Sequence, residues 1–121
     1  DLIFLSATFK GKEKNCDEIN NYMNELNIIK NMAQPTKIKT SGSTFKNPIS
    51  QTDKKVWELI KSSVSNEISY GDAVISKKHA NFFVNKKNAK AADMKSLINF
   101  VKKKVKDQTG IKLELEIVVV E

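Results

Sequence analysis

Arginine is absent from this sequence: all 21 basic residues among its 121 are lysine. Proteins that read DNA bases usually rely on arginine's planar fork to reach guanine edges, and none is available here, which argues against base-specific DNA recognition as the main activity. Cysteine and histidine are nearly absent too. The single cysteine, Cys16, excludes an internal disulfide, and the single histidine leaves no second imidazole for a metal site. Cys16 therefore reads as an ordinary helix residue, and no metal is expected. Glycine and proline are scarce, which together with 40% apolar content excludes collagen-like and disordered chains. No run approaches ~20 consecutive apolar residues, and the opening Asp1-Leu2-Ile3-Phe4-Leu5 has no basic leader. Neither a membrane span nor a signal peptide is expected, and a cytoplasmic setting is the default. The lack of an initial methionine, with a strand-like run at the very start, points to a piece of a longer protein.

What is present suits one main domain, since a chain of this length buries roughly two thirds of the surface its unfolded form exposes. The net charge of +7 attracts polyanions, anionic lipid and phosphorylated small molecules alike. We read it as lysine-rich solvated surface with a lesser pull on a phosphate-bearing ligand, and expect neither a nucleic-acid nor a membrane partner; the oligomeric state stays open. The alternative is a lysine-rich RNA-binding module without catalysis.

Residues 2–9 read as a strand closed by Lys10-Gly11. From Asn15 to Met32 the positions Ile19, Met23, Leu26, Ile29 and Met32 recur at helical spacing, and Pro35 ends that helix. The segment to Thr40 is expected to be extended. Ser41 to Pro48 combines a flexible glycine, small hydroxyls, a cation, an amide and a stiffening proline, and reads as a loop that presents polar groups rather than filling a core. Val56, Trp57, Leu59 and Ile60 mark a short helix over 54–62, with Trp57 most simply in the core and a stacking role as the alternative. Residues 63–71 read as a loop. Ala73 to Ser76 and Ala80 to Asn85 are two strand-like runs joined by Lys77-Lys78-His79 without the usual glycine. A second long helix is expected over 91–108, capped by Gly110. Leu113 to Val120 reads as a final strand whose first half alternates leucine with glutamate. The sum is an α+β domain, a small sheet covered by two main helices.

Three polar positions carry candidate chemistry, each beside a plainer reading. Ser43 follows a glycine, as a turn serine bonding its own backbone does, yet a hydroxyl held near a developing carbanion is also a proton donor. A serine-hydrolase triad lacks its Gly-x-Ser-x-Gly context. His79 is either a locally bonded surface histidine or a ligand contact. Glu116 is either a solvated carboxylate or one held near a site by the apolar tract that follows it.

Ala33-Gln34-Pro35, Ser41-Gly42-Ser43-Thr44-Phe45-Lys46-Asn47-Pro48, the run from Ala73 to Asn85, the helix start Ala91-Ala92-Asp93 and Gly110-Ile111-Lys112-Leu113-Glu114-Leu115-Glu116-Ile117 occur in an order and register that resemble the C-terminal part of the UDP-N-acetylenolpyruvoylglucosamine reductase family. The resemblance covers about residues 33–117; more loosely, residues 1–32 resemble the end of that family's FAD-binding domain, leaving 33–121 as the substrate-binding domain. It implies a flavoenzyme of peptidoglycan precursor synthesis, in which NADPH reduces FAD and the enolpyruvyl group of a UDP-sugar substrate is then reduced to give UDP-N-acetylmuramate. It implies Ser43 as the proton donor and Glu116, rather than Glu114, as its assistant at the carboxylate end. Asn47 falls on the contact to the nucleotide diphosphate, His79 on the uridine side of the pocket, and Lys46 adds attraction for phosphate.

The sequence departs from that pattern in places. Ser41 stands where a glycine or alanine is common, a phosphate-contacting lysine of some members would fall near Ala33, and Ser62 to Glu67 replaces a glycine-rich, arginine-containing turn. The flavin-binding region lies outside this chain, so these 121 residues alone are expected to be inactive.

Overall fold

The computed structural model describes residues 3–35 and 38–120 and divides the chain into two units, 1–30 and 31–121. In the first, residues 3–15 form neither helix nor strand. The strand expected over 2–9 is not formed within the described residues, and Leu2 lies outside them. Strand backbone needs a ladder to satisfy its N–H and C=O groups, and nothing described pairs with this stretch. The helix expected next is α1, Cys16–Ala33. Asn15 starts it by accepting the Asp17 N–H on its side-chain oxygen at 2.8 Å. Asp17 and Glu18 in the first turn and Lys30 in the last match the helix dipole. Its apolar stripe is real but exposed, and no residue of α1 is buried.

In the second unit, β1 (Lys39–Ser43), α2 (Val56–Ser63), β2 (Ser69–Tyr70), β3 (Ala73–Ile75), β4 (Phe82–Asn85) and α3 (Ala91–Thr109) follow one another. Thr36 and Lys37, part of the stretch expected to be extended, lie outside the described residues. The strands form an antiparallel sheet in the order β1-β4-β3-β2. Helices α2 and α3 pack on each other and α3 on β2 and β3, as the α+β expectation has it. Ala73, Ile75 and Phe83 supply the sheet's core face, and Leu59, Ile60, Leu97, Ile98, Val101 and Val105 the helical side. Phe45 meets Phe83 edge to face, ring centroids 5.8 Å apart. Gly110 ends α3 in the left-handed conformation at φ 75°, as its position predicted.

Four expectations are corrected. The loop over 63–71 contains β2, joined to β3 by the two-residue turn Gly71-Asp72. The final strand shrinks to one antiparallel bridge between Phe45 and Leu115, with Val118 and Val120 almost fully exposed. The leucine–glutamate alternation does hold, since Leu113 is buried while Glu114 and Glu116 are exposed. Trp57, expected in the core, lies at the surface of α2, which turns Val56, Leu59 and Ile60 inward instead. Finally, Ser41 to Pro48 is partly strand and partly core: Ser41 to Ser43 belong to β1, and Thr44 and Phe45 are 0% and 1% exposed. The cause is a bulge. Thr40 pairs with Val84 but Ser43 with Phe82, so β1 carries one extra residue, and Gly42 at φ 84° accommodates it. The bulge leaves Ser43 exposed while Phe45 turns into the core.

The glycine-free connection between β3 and β4 works because side chains accept its backbone donors. Ser76 Oγ accepts the Lys78 N–H at 3.2 Å and His79 Nδ1 accepts the Asn81 N–H at 3.2 Å.

Candidate functional site

The segment that carries Ser43 is held from both sides. On one side Thr44 N–H donates to the Asn81 carbonyl at 2.8 Å. The Asn81 carboxamide then bonds both backbone groups of Phe45, accepting its N–H at 3.0 Å and donating to its carbonyl at 2.9 Å. On the other side Lys46 N–H donates to the Glu114 carbonyl and Glu116 N–H to the Thr44 carbonyl, both at 2.9 Å. Ser43 and Glu116 are thus brought to adjoining positions, one peptide bonded to the neighbour of the other, and both are exposed.

Lys46 and Asn47 lie just beyond, in a cleft of about 220 Å³ shared with Gln51 and Lys112. Gln51 closes it, donating to the Lys112 carbonyl at 3.0 Å and accepting the Lys112 N–H at 2.9 Å. Asn47 Oδ1 accepts the Val56 N–H at 3.0 Å, capping α2 from nine residues upstream. Its acceptor end is therefore committed, and the end that remains for a ligand is the NH2 donor.

His79 sits in a different cleft, of about 380 Å³, lined also by Ala33, Trp57, Lys61, Asn66, Lys77 and Lys78. Its ring meets Phe82 edge to face at 4.7 Å and Trp57 at 6.5 Å between centroids. Phe82 is also the residue whose backbone is paired with Ser43 in the β1–β4 register. Burial holds the His79 imidazole below its ordinary pKa of 6.5, against a smaller opposing effect of its backbone hydrogen bond. With Nδ1 accepting from Asn81, the neutral ring presents Nε2–H as a donor. Aromatic surfaces beside lysine ammoniums suit a planar base joined to phosphate.

Of the residues singled out in the sequence, Ser43 and Glu116 share one edge, Lys46 and Asn47 the adjoining loop, and His79 a separate cleft. Sequence reasoning missed Asn81, which left a faint signal, a carboxamide inside the apolar run from Ala80 to Val84; for Trp57 it set the core reading ahead of a stacking role, and the structure places the side chain at the surface beside His79.

A four-stranded antiparallel sheet under two helices, with a pinned polar edge and an aromatic, lysine-lined cleft, defines a small α+β domain. A family profile described as "UDP-N-acetylenolpyruvoylglucosamine reductase, C-terminal domain" matches residues 34–120, and the chain belongs to that family. It is 67% identical over 97% of its length to a UDP-N-acetylenolpyruvoylglucosamine reductase of Pelagibacter ubique, covering 39% of that protein. It is 44% identical over 97% of its length to the reductase of that name from Rickettsia bellii, covering 38% of it. The chain thus spans about two fifths of the length of these curated relatives. In three dimensions it is similar to the crystal structure of UDP-N-acetylenolpyruvylglucosamine reductase from Thermus caldophilus, with a TM-score of 0.67, 34% identity, 87% of this chain covered and 35% of that one.

Proposed function

We propose that this chain is the substrate-binding C-terminal part of a flavoenzyme that reduces UDP-N-acetylglucosamine enolpyruvate to UDP-N-acetylmuramate in the cytoplasm, a step of peptidoglycan precursor synthesis. Residues 1–32 are assigned to the end of its FAD-binding domain. A dinucleotide pyrophosphate is typically cradled by glycines opening a helix N-terminus. Helices α2 and α3 instead open behind Lys55 and Lys90, and none of the five residues before either start is a glycine. FAD and NADPH are therefore assigned to the rest of the full-length protein. When bound there, the flavin supplies the two electrons as hydride to the enolpyruvyl methylene carbon.

This chain's task is the proton. As the methylene carbon is reduced, the electron pair of the double bond moves to the neighbouring carbon, next to the carboxylate. Ser43 Oγ–H protonates that carbon, and the alkoxide left behind regains a proton from solvent. Glu116 stands at the adjoining position and assists at the carboxylate end. The NH2 of Asn47 and the ammonium of Lys46 take the diphosphate, and His79 takes the uridine side, with Trp57 as an aromatic surface. Lys61 and Lys77, lining the same cleft as Ala33, stand in for the lysine that some relatives place near that position.

The observation that carries this reading is the family match across 34–120 together with the pinning of Ser43 and Glu116 on one edge. The test is Ser43→Ala in the full-length protein. Reduction of the bound flavin by NADPH should proceed at the wild-type rate, while reduction of the enolpyruvyl sugar nucleotide falls by about 10²- to 10⁴-fold, the usual contribution of a placed acid. Equal loss of both half-reactions would rule out Ser43 as the acid.

A further inference from the structure

We infer that Asn81 is a positioning residue for this reaction: its buried carboxamide fixes the backbone that aims Ser43, so that loss of the clamp is felt as loss of proton delivery. The inference rests on Ser43 being the acid. Its basis is geometric. Asn81 is 3% exposed, and its side chain takes the place of a neighbouring strand, accepting from Phe45 N–H at 3.0 Å and donating to Phe45 C=O at 2.9 Å. Its own carbonyl holds Thr44 N–H at 2.8 Å.

The need for such a clamp follows from the bulge. At Thr40 the β1–β4 register is regular; between Thr40 and Ser43 it slips by one residue, with Gly42 at a positive φ. Immediately after a bulge the ladder no longer dictates where the next peptides point. Asn81 restores that direction, bonding the two residues that follow Ser43. Asn81 is itself oriented by His79, whose Nδ1 accepts its N–H at 3.2 Å. The clamp therefore runs from the aromatic, lysine-lined cleft to the serine edge through consecutive bonds.

The test uses the full-length flavoenzyme with Asn81→Asp, which preserves shape but replaces the NH2 donor by a carboxylate oxygen facing the Phe45 carbonyl. Sugar-nucleotide reduction should fall about 10- to 100-fold, the scale of a small misplacement of a catalytic group, with flavin reduction by NADPH unchanged. By hydrogen exchange, the Thr44 and Phe45 amides should lose protection while those of Phe83 and Leu97 keep theirs. The deciding measurement is the double variant: added to Ser43→Ala, Asn81→Asp should cause little further loss of sugar-nucleotide reduction. Multiplying losses would mean that Asn81 acts on the fold at large and would overturn the inference, as would wild-type sugar-nucleotide reduction in a folded Asn81→Asp protein. If Ser43→Ala alone leaves that half-reaction intact, the acid assignment fails first, and that outcome is separate from any result at Asn81. Should Asn81→Asp not fold, Asn81→Ser, which keeps one hydrogen bond, carries the same cycle; failure of both to fold makes Asn81 a folding residue and ends the proposal.

Discussion

Two helices of nearly equal length carry the same sequence signal and meet opposite fates. In α1 the stripe Ile19, Met23, Leu26 and Ile29 is 41–61% exposed; in α3 the stripe Leu97, Ile98, Val101 and Val105 is 0–4% exposed. Periodicity states what a helix is able to bury. Burial itself requires an opposing surface, which α3 finds in α2 and the sheet. An apolar stripe is therefore evidence for a helix, but evidence for a core only where a partner surface exists.

Truncating one residue of each stripe tests that comparison. Leu97→Ala should cost about 2–5 kcal/mol, as deletion of a fully buried leucine does, read as a lowered denaturant midpoint of this chain. Leu26→Ala, at a position 46% exposed, should change stability by less than about 0.5 kcal/mol. Comparable costs at the two sites would show that the α1 stripe is buried in solution and would remove the contrast.

The same distinction explains what could be read from the residues in advance. Helices α1 and α3 were located to within a residue at each end, because their stripes, the Asn15 start and the Gly110 cap are local signals. Strands depend on partners that local pattern does not name. Ile3 to Phe9 and Val118 to Val120 have strand composition but no ladder, whereas Ser69 and Tyr70, in a polar stretch, pair with β3. The pair Gly71-Asp72 was a readable hairpin signal. At the site, the residue types of Ser43, Asn47 and Glu116 were visible, but not the bulge that buries Phe45 beside Ser43. Asn81 was hidden for a related reason: a carboxamide standing in for a strand is defined by two peptide groups 36 residues away.

Glycines sharpen the comparison with a smaller effect. Gly11, in the first unit, has no positive φ, and a Cβ there would meet nothing within 4 Å. Gly71, in the second, has φ 54°, and a Cβ would lie 2.8 Å from Asp93 Oδ2. That oxygen is occupied, accepting the Lys90 N–H at 2.8 Å at the start of α3, so its displacement loosens the helix start as well. Gly71→Ala should cost about 1–3 kcal/mol through backbone strain and this contact, and Gly11→Ala should be neutral. Thermal melts of the two variants give the answer; matching midpoints would contradict the packing around Gly71.

The smallest effect is a pH dependence belonging to the packed unit. Burial depresses the His79 pKa below its ordinary 6.5, so between that value and the folded value the unfolded chain binds more protons than the native one. The stabilising contribution of neutral His79 is therefore complete above pH 6.5 and is lost as pH falls through the folded pKa. His79→Asn removes the titration while leaving a side chain able to accept the Asn81 N–H. The difference in unfolding free energy between wild type and variant, followed from pH 7.5 down to pH 5, should shrink as the pH falls. A difference that stays flat would mean that His79 titrates in the folded chain as it does in the unfolded one, and that its cleft is open enough to water for the imidazole to charge freely.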